Sequence, residues 1–244
     1  MTRDRRGTPR RRAGTERRPA AEKPPSRVPD RRIPLLLATR NPGKVRELEA
    51  LCDRRLFRVL EPDVLEPLGH PVEDGKTFED NARKKALFYS RQIDCLVMAD
   101  DSGLEIDALG GEPGVRSARL GGPHATDEDR IRLVLRRLED VPWERRTARF
   151  TCVIAIARRG EILKTFEGRV EGLIALEPAG GEGFGYDPIF WYPPMQRTFA
   201  EMLPAEKHRV SHRGQALERA VAWLRERFAA DDPATGSQYP SGGR

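Results

Sequence analysis

Three short apolar runs constrain this chain most: "IPLLLA" (33–38), "CLVMA" (95–99) and "CVIAIA" (152–157). Each is continuous, with no polar residue at alternate positions, which is the pattern of a strand buried on both faces. All three are far shorter than the ~20 residues that span a bilayer. Between them lie stretches of helical period. Val45, Leu48, Leu51 and Cys52 form one stripe, and Phe78, Ala82 and Ala86 with Phe88 or Tyr89 form a second. Ile131, Val134, Leu135 and Leu138 form a third, and Leu217, Val221, Leu224 and Phe228 a fourth. Thr77, Thr126 (with Asp129 in a capping-box spacing) and Ser211 stand where helix N-caps belong. "FRVLEP" reads as a further short strand, and "TARFTCVIAIARRGEILKTFEGRVEG" as a β-hairpin turning at "RRGE". Strands and helices alternate without a strict βαβ order, so the expectation is an α/β fold with a mixed sheet.

Charge is distributed unevenly. The net charge is +6, yet residues 1–32 alone hold twelve Lys/Arg against four acids. The remainder is therefore slightly acidic, and the high isoelectric point belongs to the N-terminal stretch. That stretch has no aromatic residue and, after Met1, one aliphatic side chain larger than Ala, Val28. It cannot bury enough surface to offset its ordering entropy, so residues 1–32 are expected to be a disordered basic arm, 33–230 the folded domain and 231–244 a loose tail. A basic arm suits nucleic acid or an anionic surface, but without interleaved aromatics nucleic-acid binding is not the expected role. Three widely spaced cysteines, Cys52, Cys95 and Cys152, sit in apolar surroundings with no CxxC spacing, as small core residues of a reducing compartment do. With no signal-peptide pattern visible, a soluble, cytoplasmic protein without membrane partners is expected.

The chemistry-bearing motifs are modest one by one. "TRNPGK" (39–44) follows a strand and opens a helix, where free N–H groups and Lys44 would hold an anion; it serves equally as a plain turn. "ADDSG" (99–103) places two carboxylates at the expected C-terminal end of a strand, where open α/β sheets bind ligands. Neighbours in an extended chain point to opposite sides, so one of the pair would face a given site. The alternatives are an exposed turn or a hard-cation ligand. Asn81 and Lys85, four apart on one helix, can aim at a single point. In "GFGYDPIF" (183–190), Phe184 between glycines suits either a flat-ring slot or a β-bulge. "KHRVSHR" (207–213) gathers cations at a helix start, suited to phosphate or a base. Zinc, serine-nucleophile and kinase signatures are missing.

Taken in order, "LLLATRNPGKVREL", "TFEDNARKKA", "ADDSGLEIDALGGEPGVRSAR", "GFGYDPIF" and "AEMLPAEKHRVSHRGQAL" resemble the Ham1 family of inosine triphosphate pyrophosphatases (dITP/XTP diphosphatases) across residues 33–228. The resemblance implies an elongated, two-lobed mixed sheet flanked by helices, with a nucleotide cleft between the lobes. It also implies a homodimer and Mg²⁺-dependent hydrolysis of ITP, dITP or XTP to the monophosphate and pyrophosphate. Matched residue by residue, the phosphate loop would be Thr39, Arg40, Asn41, Pro42, Gly43 and Lys44. Asp101 would be the proton acceptor and a metal ligand, Glu73 the other metal ligand, with Glu79 the competing alignment. Lys85, Ser102, Phe184, Gly185, Tyr186, Asp187, Lys207, His212 and Arg213 would contact the nucleotide. Arg40 stands where other members often carry Gly. Other modified nucleotides as substrate, or nucleic-acid binding through the arm, are the alternative readings.

Overall fold

The computed structural model describes residues 30–39 and 42–228. Arg40, Asn41 and the expected disorder of both termini lie outside the described residues. Seven strands form one mixed sheet in the order β2-β1-β3-β4-β5-β6-β7. They are β1 (Ile33–Leu37), β2 (Phe57–Leu60), β3 (Leu96–Ile106), β4 (Thr147–Arg158), β5 (Glu161–Ile174), β6 (Phe190–Tyr192) and β7 (Arg197–Thr198). β1 runs parallel to β2 and β3, and every later pairing is antiparallel. The helices are α1 (Pro42–Leu51), α2 (Phe78–Ser90), α3 (Asp127–Arg137), α4 (Pro204–Val210) and α5 (His212–Phe228).

Local sequence chemistry sets most of these boundaries. Thr77 and Thr126 each accept the N–H three residues on, while Asp80 and Asp129 reach back to the cap amide, so α2 and α3 both start in capping boxes. The Ser211 hydroxyl accepts Gly214 N–H at the start of α5. The β4–β5 hairpin turns on Arg159 and Gly160, both at positive φ (51° and 78°), whose twist matches the strands they join.

The apolar runs alternate as a strand must. Leu35, Leu37, Leu96, Met98, Cys152, Ile154 and Ile156 face α5 (Leu217, Val221, Leu224 and Phe228). Leu36, Val97, Ala99, Val153 and Ala155 face the other way, onto Phe78, Ala82, Ala86 and Tyr89 of α2. Beyond β1 the long strands continue into a second lobe, where Leu104, Ile106, Phe150 and Val170 pack with Ile131 and Val134 of α3 and with Phe190 and Phe199. All three cysteines are buried and free, as expected of core residues. Burial pushes the thiols of Cys52 and Cys95 up to about 11. Among the described residues no helix is long and apolar enough to cross a membrane.

One expectation fails. The strand that begins at "CLVMA" does not end on the aspartates but runs through them to Ile106. Its antiparallel partner β4 supports it from Val97 to Ile106, whereas pairing with β1 stops at Leu37 opposite Met98. The carboxylates therefore sit where β3 loses a neighbour on one edge only. Further along that open edge, the buried Ser117 hydroxyl takes up the Leu104 N–H, 2.9 Å away.

Candidate active site

A cleft of about 300 Å³ opens at that free edge and draws its walls from both lobes. Strand alternation splits the aspartate pair across it. Asp100, 4% exposed, points toward α1 and α5, where its Oδ2 lies 2.6 Å from Lys44 Nζ and 3.5 Å from Arg213 Nε. Burial alone would raise its carboxyl, but Lys44, Arg213 and Lys85 outweigh it and hold the group well below the usual carboxylate range. Asp101 points toward α2, where its Oδ2 accepts Asn81 Nδ2–H at 3.0 Å. Burial, with Glu73 and Asp100 nearby, raises it to about 6 despite Asn81 and Lys85. The two carboxylates are one residue apart, yet opposite environments drive their proton affinities in opposite directions.

Lys85, one α2 turn beyond Asn81, spans the site. Its Nζ donates to the Asp100 carbonyl at 3.0 Å and meets Glu73 Oε1 at 2.8 Å. Burial works against its charge, but Asp100 and Glu73 more than restore it. Glu73 lines the cleft, whereas the competing Glu79 pairs with Arg83 on the exposed face of α2, and Asp74 with Lys84. Thr39 and Lys44 line the same end; Pro42 and Gly43 open α1.

The opposite end is aromatic and cationic. Phe184 is 40% exposed, with Lys207 Nζ 4.7 Å and Arg213 Cζ 5.3 Å from its ring centre. Asp187, buried, holds Lys207 Nζ at 2.5 Å and accepts the Phe184 N–H at 2.8 Å. Tyr186 is buried and donates its hydroxyl to the Ser117 carbonyl. Ser102 accepts Arg213 Nη2–H at 3.1 Å, which ties the two ends together. The His212 ring stacks on Phe150 with centroids 4.7 Å apart, and burial, helped by Arg213 and Lys207, drives its pKa well below the ordinary value. Protonation of the ring is thus disfavoured, and its buried Nδ1 has no hydrogen-bond partner among the described residues.

The structure thus gathers Thr39, Lys44, Glu73, Lys85, Asp101, Ser102, Phe184, Gly185, Tyr186, Asp187, Lys207, His212 and Arg213 into one cleft. The sequence reading missed Gly103, Ser117, Asp127, Arg130 and Phe150, which also line it. At Gly103 a Cβ would meet the Gly114 carbonyl and Ser117 Oγ at 2.5 Å, a close approach visible only in the fold.

Residues 35–223 match the sequence profile of the Ham1 family. The chain belongs to the Ham1 family. This Ham1 chain is 46% identical over 192 residues to the dITP/XTP pyrophosphatase of Halalkalibacterium halodurans, covering 78% of this chain and 97% of that one. The dITP/XTP pyrophosphatase of Bacillus subtilis is 45% identical over 184 residues, covering 75% and 93%. Among solved structures, a HAM1 protein from Coxiella burnetii superposes with a TM-score of 0.74 at 42% identity, over 80% of this chain and 99% of that one. The nucleoside-triphosphatase / dITP/XTP pyrophosphatase of Mycobacterium abscessus gives a TM-score of 0.64 at 42% identity, over 79% and 98%.

Two carboxylates on one cleft wall are a donor set with a defined preference. Among the described residues no group of three or more His, Cys, Asp or Glu could hold a metal ion. Glu73 and Asp101 alone would bind a hard divalent cation that completes its shell with water and phosphate oxygens, so the residues present fit such an ion.

Proposed function

We propose that this Ham1 chain hydrolyses non-standard purine nucleoside triphosphates (ITP, dITP and XTP) to the monophosphate and pyrophosphate; its relatives bear the name dITP/XTP pyrophosphatase. The observation that carries the reading is one cleft with a carboxylate–lysine end (Glu73, Asp101, Lys85, Lys44) facing an aromatic end (Phe184 under Lys207 and Arg213). That layout fits a polyphosphate at one side and a flat base at the other.

Water must add to the α-phosphorus as the bond to the bridging oxygen breaks and pyrophosphate leaves. Asp101, held on the cleft wall by the Asn81 amide, would accept the water's proton. Lys44 and Lys85 would offset charge on the phosphates, acting from fixed positions in a partly dry cleft. Glu73 and Asp101 would hold Mg²⁺, which when bound supplies charge neutralisation and a more acidic water. Phe184 would stack on the base. Lys207 and Arg213 donate without accepting, so they would favour a 6-oxo purine over a 6-amino one, which presents hydrogens to donors. We place the substrate in the cytoplasmic nucleotide pool and expect the homodimer that the resemblance implies, which light scattering would check.

A triphosphate panel with product identification tests the reading. ITP or XTP should exceed ATP by at least about a hundredfold in kcat/KM through the 6-position, and should also exceed GTP, whose 2-amino group Lys207 and Arg213 do not read, with pyrophosphate as the first product. Equal rates on GTP, or orthophosphate as the first product, would overturn it. Asp101→Asn should fold normally and lose at least about a hundredfold in kcat; activity within tenfold of the parent refutes the assigned proton acceptor.

A further inference from the structure

The loop that carries Phe184 is braced from an unexpected direction. Gly183 and Gly185, on either side of the ring, sit at φ of 80° and 63°, so the loop's shape depends on a backbone that few side chains tolerate. Behind it lies a second hollow of about 640 Å³, between residues 178–185 and the face of α3 that carries Ile131 and Leu135. The hydrogen bond that crosses from α3 to the loop is made by Asp127, whose Oδ2 accepts the Gly185 N–H at 2.7 Å. Its other oxygen takes Arg130 Nη1 at 2.7 Å, and Arg130 lies along the cleft wall with a buried Nε–H that has no partner among the described residues. The two amides of Phe184 and Gly185 are thus held by two carboxylates from different elements, Asp187 and Asp127. Helix α3 is itself anchored at its far end, where the buried Arg146 guanidinium donates to the carbonyls of Leu138, Val141 and Ala175.

We propose that Asp127 is a positioning residue for the base-stacking clamp. It spans the hollow and fixes Gly185, and thereby the Phe184 ring, at the height a purine requires, with Arg130 holding the carboxylate in that orientation. This role rests on the base-binding reading of Phe184. Without the strut, the glycine-rich loop can sag into the hollow, and stacking is lost while the phosphate end stays as it is.

Steady-state kinetics on ITP distinguish this from a merely structural role. Asp127→Ala should raise KM about tenfold and keep kcat within about threefold, because the lost contact serves the bound base equally in ground and transition states. Product inhibition by pyrophosphate, a probe with no base, should stay within about twofold of the parent. Asp127→Asn keeps an oxygen that accepts the Gly185 N–H and should bring KM back to within about threefold. An unchanged KM in Asp127→Ala overturns the role, and so does a pyrophosphate constant that weakens in step with KM. A parent inert toward ITP would instead sink the substrate reading, and this role with it; an active parent with an indifferent Asp127→Ala sinks the role alone.

Discussion

Gly168 in β5 offers the sharpest test of how the fold aims the site. It lies opposite Cys152 in the sheet, directly beneath the first turn of α5. A Cβ there would stand 2.0 Å from the His212 carbonyl oxygen and 2.7 Å from Ala216 N. Both are helix backbone atoms, so no change of rotamer relieves the overlap. Ordinary contact begins at 3.4 Å, which means that the first turn of α5 must lift by about 1.4 Å to admit a methyl group. That turn carries His212, stacked on Phe150, and Arg213, bonded to Ser102 and paired with Asp100. Gly168→Ala should therefore cost about 1–3 kcal/mol of stability from overpacking. It should also cost on the order of 10²-fold in kcat/KM, since displacements of about 1 Å in a preorganised site have that effect. Thermal unfolding and ITP kinetics, run well below the variant's Tm, measure both. Gly160→Ala is the control: it strains the positive φ of the remote hairpin turn, where its Cβ meets the flexible Arg91 side chain, and should leave kcat/KM within about threefold. The reasoning fails if Gly168→Ala keeps kcat/KM within threefold, or if both variants lose activity alike.

Two further predictions use the charges beneath the cleft. Lys44→Ala removes the nearest partner of the buried Asp100 and should cost about 2–4 kcal/mol at pH 7 by urea titration, less than a fully orphaned charge because Arg213 and Lys85 remain. Asp100 has a depressed pKa, so the stability it contributes is present above 3.8 and lost as pH falls through its folded value. Parent and variant should accordingly converge in acid; equal urea midpoints at pH 7 would refute the pairing. His212 has a folded pKa driven below its ordinary 6.5, so the unfolded chain takes up the proton first and stability falls as pH drops below 6.5. The loss contributed by His212 should approach about 1.4 kcal/mol per pH unit and be absent in His212→Gln. Parallel stability–pH curves for the two proteins would show that the imidazole is not buried neutral.

What could be read from the sequence was what local chemistry decides. Thr77 and Thr126 announced their helices because a capping box is complete within four residues. The hairpin turn announced itself because Arg159-Gly160 sits between two strand-like runs. The extent of β3 was not legible, since it depends on how far β4 continues beside it after β1 has stopped, and the length of a partner strand is not written into "ADDSG". Phe150 hid for a similar reason: in "RFTCVIAIA" it reads as one more core residue, and only the stacking of His212 from a distant helix puts it on the cleft wall. Asp127 stands in a helix's first turn, where acids are favoured whether or not they reach another loop, so the sequence does not set it apart.

The adjacent aspartates show how one strand can serve structure and chemistry at once. Two like charges side by side would be costly if they shared an environment. The two-residue period of β3 sends them to opposite faces instead, and the missing β1 neighbour gives cations from three helices access to the same short edge. Lys44 and Arg213 bring α1 and α5 to Asp100, while Lys85 from α2 reaches its carbonyl and Glu73. Asp100 is satisfied by this arrangement and holds three helices at fixed distances from the edge. Asp101 has one amide hydrogen bond, a carboxylate neighbour and the charge of Lys85, and burial still raises its proton affinity. The cation-paired carboxylate and the one proposed to react are neighbours in the chain, and the alternation of the strand, not the local sequence, decides which side chains surround each.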